Sequence, residues 1–161
     1  MLIELKTLFI TYVLYSLLGI IVMASLWHQY RKHFPEINLW LIYYIFQFIA
    51  LLLITLRGNI PDLLSIVFAN SLIIWGTIIL YTGLVQYAGR KTGQLHNYIM
   101  LVLFTFIHAY LTYSHPSLAL RNVNFSFALL FVCAQGSRLM LHHVHPDLKP
   151  ATRTTGIVLL L

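Results

Sequence analysis

Five apolar stretches, each of a length to cross a bilayer, leave this chain few folds to choose from. They cover residues 8–30, 37–56, 63–87, 98–113 and 122–141, and a sixth begins at 156 and reaches 161. About 20 mostly apolar residues at 1.5 Å rise match a hydrocarbon core of about 30 Å. The 98–113 stretch is short, and the softer flanks 95–97 and 114–115 complete it. The expected fold is all-α, a polytopic transmembrane helical bundle of five full spans plus the start of another, in one integral membrane domain. Six residues cannot cross a bilayer, so the chain reads as cut inside a crossing helix.

Composition agrees. The 161 residues are 60% hydrophobic and 9% charged, against roughly 25% charged in soluble domains. The formal charge of +6 does not indicate nucleic acid, because the basic residues sit singly or in pairs at helix ends and form no stripe that tracks phosphates. Anionic lipid head groups are the expected partner. The apolar run from Leu8 continues to Trp27, past the 7–15 residues of a signal-peptide core, and Arg31 and Lys32 follow it, so it reads as a retained helix. The lone Cys133 falls mid-helix and can form no intramolecular disulfide.

Assigning basic residues to alternating sides gives a bias. Arg31, Lys32, Arg90, Lys91, Arg138, Lys149 and Arg153 fall on one side, and Lys6, Arg57 and Arg121 on the other. Short loops rich in Lys and Arg stay cytoplasmic, which puts the N-terminus outside. A cytoplasmic C-terminus then requires a seventh crossing. The hinges fit: Pro35, the tight Gly58-Asn59-Ile60-Pro61 turn with Asp62 set to start the next helix, Gly89 and Gly93, and Pro116, Pro146 and Pro150.

Polar groups in lipid are costly and should face other helices or a cavity. Tyr43, Gln47 and Ala50 share one face of the second span. Asn70, Thr77 and Tyr81 share one face of the third, Thr105, His108 and Thr112 one of the fourth, and Asn124, Ala128, Phe131, Gln135 and Arg138 one of the fifth. Interhelical hydrogen bonding, at about 0.6 kcal/mol each, accounts for most of them. The intramembrane candidates for more than that are Gln47, His108, Asn124 and Gln135, with His108 the histidine clearly deep in a span.

The outer ends carry a denser group: Arg57, Asp62, Ser65 and Asn70 at one corner, and Ser114, His115, Arg121 and Asn122 at the other. If the corners adjoin, two cations and few acids make a pocket suited to a small anion or polar ligand. Arg57, Asp62, Asn70, Arg121 and Asn122 are the candidate signal-binding residues. An Arg57–Asp62 pair with interface snorkelling is the bland account. His142, His143 and His145 do not converge on a metal by themselves, and no bis-histidine haem site is expected. Glu4, Glu36, Asp62 and Asp147 are scattered, and no catalytic motif is present, so the segment is not itself expected to be an enzyme.

The run Leu56-Arg57-Gly58-Asn59-Ile60-Pro61-Asp62-Leu63-Leu64-Ser65-Ile66-Val67-Phe68-Ala69-Asn70 resembles the LRG-x-x-PD-x-LS-I-x-x-x-N stretch in the N-terminal membrane region of many bacterial GGDEF diguanylate cyclases. Leu39-Trp40, Gly83 with Gly89-Arg90, and Pro116-x-Leu118-Ala119-Leu120-Arg121 agree in order and spacing. The resemblance implies a seven-helix sensor module of the bacterial inner membrane with its N-terminus outside. It also implies a following cytoplasmic domain that condenses two GTP into cyclic di-GMP as a homodimer, or a histidine kinase in similar architectures. GTP and Mg²⁺ belong to that domain, and no cofactor is expected on this segment. The chain contains no GG[DE]EF sequence, and it lacks most of the sixth helix and all of the seventh.

The leading expectation is therefore a sensory or regulatory membrane domain for an unknown small ligand. The alternatives are a small transporter or channel-like protein using Gln47, Asn70, His108 and Gln135 as a polar path, or a ligand-free dimerisation anchor.

Overall fold

The computed structural model describes residues 2–90 and 93–142 together with Leu159, with side chains for 11–90, 93–141 and 159. The further span expected from residue 156, the histidine cluster at 142–145 beyond the backbone of His142, and Lys91, Pro146, Asp147, Lys149, Pro150 and Arg153 lie outside those residues. So do the side chains of Glu4 and Lys6.

Helices α1 (Leu2–Tyr30), α2 (Ile37–Thr55), α3 (Ala69–Tyr87), α4 (Leu95–Tyr113) and α5 (Leu118–His142) make up the fold, and a π-helical segment, Leu63–Phe68, leads into α3. The π segment and α3 together form one continuous apolar helix, so five helices are long and apolar enough to cross a membrane. They fit a multi-pass membrane protein. Their outward faces carry Tyr15, Phe106 and Phe127, each about two-thirds exposed or more, which lipid accommodates and water does not.

Neighbours follow from short connections. Among the described residues α1 packs on α2 alone, α2 on α3, and α3, α4 and α5 all touch one another. The core therefore lies around α3, where Ile74 and Ile78 are fully buried against Phe104 of α4 and Ala128, Val132 and Met140 of α5. The α1–α2 connection is fastened by an Asn38 side chain that accepts from Trp27 Nε1, while the Arg31 guanidinium lies 4.5 Å above the Trp27 ring.

Two local features depart from the sequence reading. α5 begins at Leu118 rather than near residue 122, because the Leu120 N–H donates to Ser117 Oγ at 3.3 Å. That side-chain cap starts the helix a turn early and puts Arg121 on its first turn. Asp62 adopts αR geometry and makes no side-chain capping bond, so it does not start its helix as an N-cap. α4 starts at Leu95, within the flank expected to complete it. On α5 the buried residues include Ala128, Val132, Leu139 and Met140, and Phe131, 40% exposed, lines a cleft with Tyr81, Gln135 and Leu139.

The α3 C-terminus shows how one glycine ends a span. Gly89 has φ +67°, its N–H donates to Gln86 O at 2.9 Å, and the Arg90 N–H donates to Val85 O at 3.1 Å. This is the Schellman pattern, and it needs a left-handed residue at Gly89. Gly93 has open space around it and no positive φ. Gly89→Ala is expected to cost about 1 kcal/mol and Gly93→Ala close to nothing, a contrast that unfolding midpoints of the two variants in detergent will check.

Candidate functional site

The two corners expected to adjoin do share a cleft. The α2–α3 turn is closed by an Asn59 N–H to Leu56 O bond of 2.9 Å, with Gly58 at φ +93° in its third position, where a type II turn requires positive φ. Arg57 occupies the second position and is exposed. On the other corner, the Ser117 cap sets Arg121 and Asn122 at the start of α5. Arg57, Ser65, Asn70, His108, Arg121 and Asn122 line one cleft of about 280 Å³, with Ile54, Ile66, Leu118 and Phe125 as its apolar walls.

The π segment gives this cleft its back wall. The Ala69 N–H reaches both Leu64 O, five residues earlier, and Ile66 O. Asn70 Nδ2 also donates to Ile66 O, at 2.6 Å, so a side-chain amide shares the carbonyl of a ladder that has slipped from α to π spacing. Ser65 and Ile66 are buried at this slip, and the Ser65 hydroxyl donates to Pro61 O at 3.3 Å. Such π segments are frequent at functional sites.

His108 is the deepest polar group. It is 2% exposed, and neither ring nitrogen has a hydrogen-bond partner. Its ring lies 5.1 Å from that of Phe104, which supplies packing but no hydrogen bond. A buried imidazole with two unmet polar atoms costs about 1–3 kcal/mol per unsatisfied group.

The remaining candidates lie elsewhere. Asp62 is exposed and outside the cleft lining. Gln47 Nε2 donates across the α2–α3 seam to Ile73 O at 3.4 Å, and Asn124 Nδ2 joins α5 to α4 through Phe104 O at 3.4 Å. Gln135 is at the opposite end, beside a second cleft of about 330 Å³ with Arg90, His96 and Arg138. There Gln135 Nε2 donates to Asn97 Oδ1 at 2.9 Å, and Gln135 Oε1 lies 2.9 Å from His96 Nε2. Gln47, His108 and Gln135 thus line no common cavity among the described residues. Among those residues no three His, Cys, Asp or Glu side chains gather at metal-binding distance either.

No family model, curated protein or solved structure matches this chain. The cleft's chemistry must therefore be argued from its own residues.

Sequence reasoning missed two residues of consequence. Ser117, directly after Pro116 and three residues before Leu120, was a readable cap. Asn97, fully buried, was passed over as a soft flank of an apolar stretch.

Proposed function

We propose that this chain is a membrane-embedded sensory input domain, with the cleft between the α2–α3 and α4–α5 corners as the place where its signal acts. The observation that carries the reading is His108, buried and unpaired beneath two arginines that come from different helical hairpins. A ligand spanning Arg57 and Arg121 favours whichever bundle arrangement brings the corners together. That difference in affinity between arrangements is what a sensor needs to bias an output. α4 and α5 are joined to each other by the Asn97–Gln135 pair and by the Asn124 side chain on Phe104 O.

The resemblance of the 56–70 run to the membrane regions of diguanylate cyclases supports a cytoplasmic cyclase as the output, in a homodimer at the bacterial inner membrane. With the N-terminus outside, the cleft opens toward the outer leaflet. Arg57→Ala, Asn70→Ala and Arg121→Ala in the full-length protein are expected to change cyclic di-GMP output or its response by 5–150-fold, the range of typical coupling energies. Unchanged output with all three variants under every inducing condition removes the sensory reading. Solute flux through proteoliposomes with no effect on output favours a transporter instead.

A further inference from the structure

We infer that the cleft takes a short organic acid with a carboxylate at the arginine end and a second polar or anionic group beside His108. The inference rests on reading this cleft as the signal site, and it names the class of ligand.

Charge selects the sign. Arg57 and Arg121 line the cleft and no carboxylate does, Asp62 being outside it. Guanidinium groups pair with carboxylates in a planar, two-bond geometry that an ammonium does not offer.

Depth selects length. His108 lies five residues inside the α4 terminus at Tyr113, about 7–8 Å along the axis at 1.5 Å per residue. Arg57 and Asn122, at the other extreme, are exposed. A ligand that answers both the mouth and the floor needs polar groups at its two ends. Neutral imidazole offers one N–H donor and one acceptor, and in His108 both are unpaired at 2% exposure. A terminal carboxylate accepts from whichever ring nitrogen carries the proton.

The walls select an organic body. Between mouth and floor stand Ile54, Ile66, Leu118 and Phe125. Phosphate or sulfate wants hydrogen bonds on every side and would leave those surfaces unfilled, whereas a few methylene carbons match them. Dicarboxylates and hydroxydicarboxylates of succinate and malate size combine the required features. A lipid phosphate could reach Arg57 and Arg121 but would carry no second polar group down to His108.

The test is direct binding to the purified full-length protein in phosphatidylcholine nanodiscs, read by calorimetry and thermal shift. Succinate and malate are expected to bind saturably, with butyrate, succinamide and inorganic phosphate at least about tenfold weaker. Arg57→Ala and Arg121→Ala should each lose about tenfold or more for succinate. His108→Leu should lower succinate affinity while leaving butyrate unchanged, and His108→Gln, which keeps a donor and an acceptor, should restore part of the loss. The inference fails if no carboxylate saturates by about 10 mM, if succinamide matches succinate, or if only phosphatidylglycerol in the nanodisc stabilises the protein. Carboxylate binding without any change in cyclic di-GMP output would overturn the sensory reading and leave the ligand class standing. The reverse result, arginine variants that alter output without carboxylate binding, would overturn the ligand class alone.

Discussion

Gly83→Leu is expected to separate α2 from α3 and leave no uniformly folded protein in detergent, and Gly83→Ala alone to cost about 1–3 kcal/mol through overpacking. A Cβ at Gly83 would stand 2.5 Å from Trp40 Nε1 and 2.7 Å from Trp40 Cδ1. The obstacle is a rigid indole, itself packed beside Tyr87 with ring centroids 6.0 Å apart, and not the free end of a flexible chain. Helices in lipid gain little from the hydrophobic effect when they associate, so close backbone approach at small residues carries much of their packing. Gly76, two turns earlier on the same α3 face, is a built-in control. A Cβ there would meet Gln47 Nε2 and Phe46 Cβ at 3.4 Å, close enough to need only a slight adjustment, and Gly76→Ala should stay within about 0.5 kcal/mol of the parent. Reversible SDS unfolding monitored by helicity gives the comparison. Equal stability of the Gly83→Ala and Gly76→Ala proteins would mean that Trp40 swings aside freely and that the α2–α3 seam is not set by this glycine.

That seam also shows what was legible in the sequence and what was not. The five spans could be read from hydropathy alone because lipid leaves the backbone no alternative to a helix. The Arg57, Asn70 and Arg121 corners could be read because turn residues and charges punctuate apolar runs. Helix ends were harder: Arg121 and Asn122 interrupt the apolar run, yet the Ser117 cap starts α5 ahead of them at Leu118. The slip to π spacing at Leu63–Phe68 was out of reach, since a ladder bonds four or five residues apart according to its tertiary surroundings. On α5, Asn124 and Gln135 bond to α4 and Ala128 is buried, as the stripe of positions 124, 128, 131, 135 and 138 suggests, while Val132, Leu139 and Met140 widen the buried face beyond it. His108 was marked by its chemistry, but only the fold shows that both its nitrogens are unpaired.

The Asn97–Gln135 pair should prove the strongest polar contact between spans, because its atoms are shared and its Asn97 half is closed to solvent. Asn97 is fully buried. Its Nδ2 donates to Gln94 Oε1 at 2.8 Å and to Gln135 Oε1 at 3.3 Å, while its Oδ1 accepts from Gln135 Nε2 at 2.9 Å. Asn97→Leu strands Gln135 Nε2, and Gln135→Leu strands Asn97 Oδ1. Each is expected to cost about 1–3 kcal/mol, the penalty of a buried group left unpaired, against about 0.6 kcal/mol for an average interhelical bond in lipid. Removing both partners strands neither, so the Asn97→Leu/Gln135→Leu protein should recover about 1–2 kcal/mol relative to the sum of the single changes. His96 sharpens the test, because its Nε2 sits 2.9 Å from Gln135 Oε1 and keeps part of that amide satisfied. Asn97→Leu should therefore be the milder of the two substitutions for Gln135, and His96→Leu combined with Asn97→Leu the harsher. Additive costs across this set, measured by SDS unfolding, would mean that water reaches the α4–α5 junction and satisfies each amide independently. The α4–α5 hairpin would then lack a fixed end opposite the cleft.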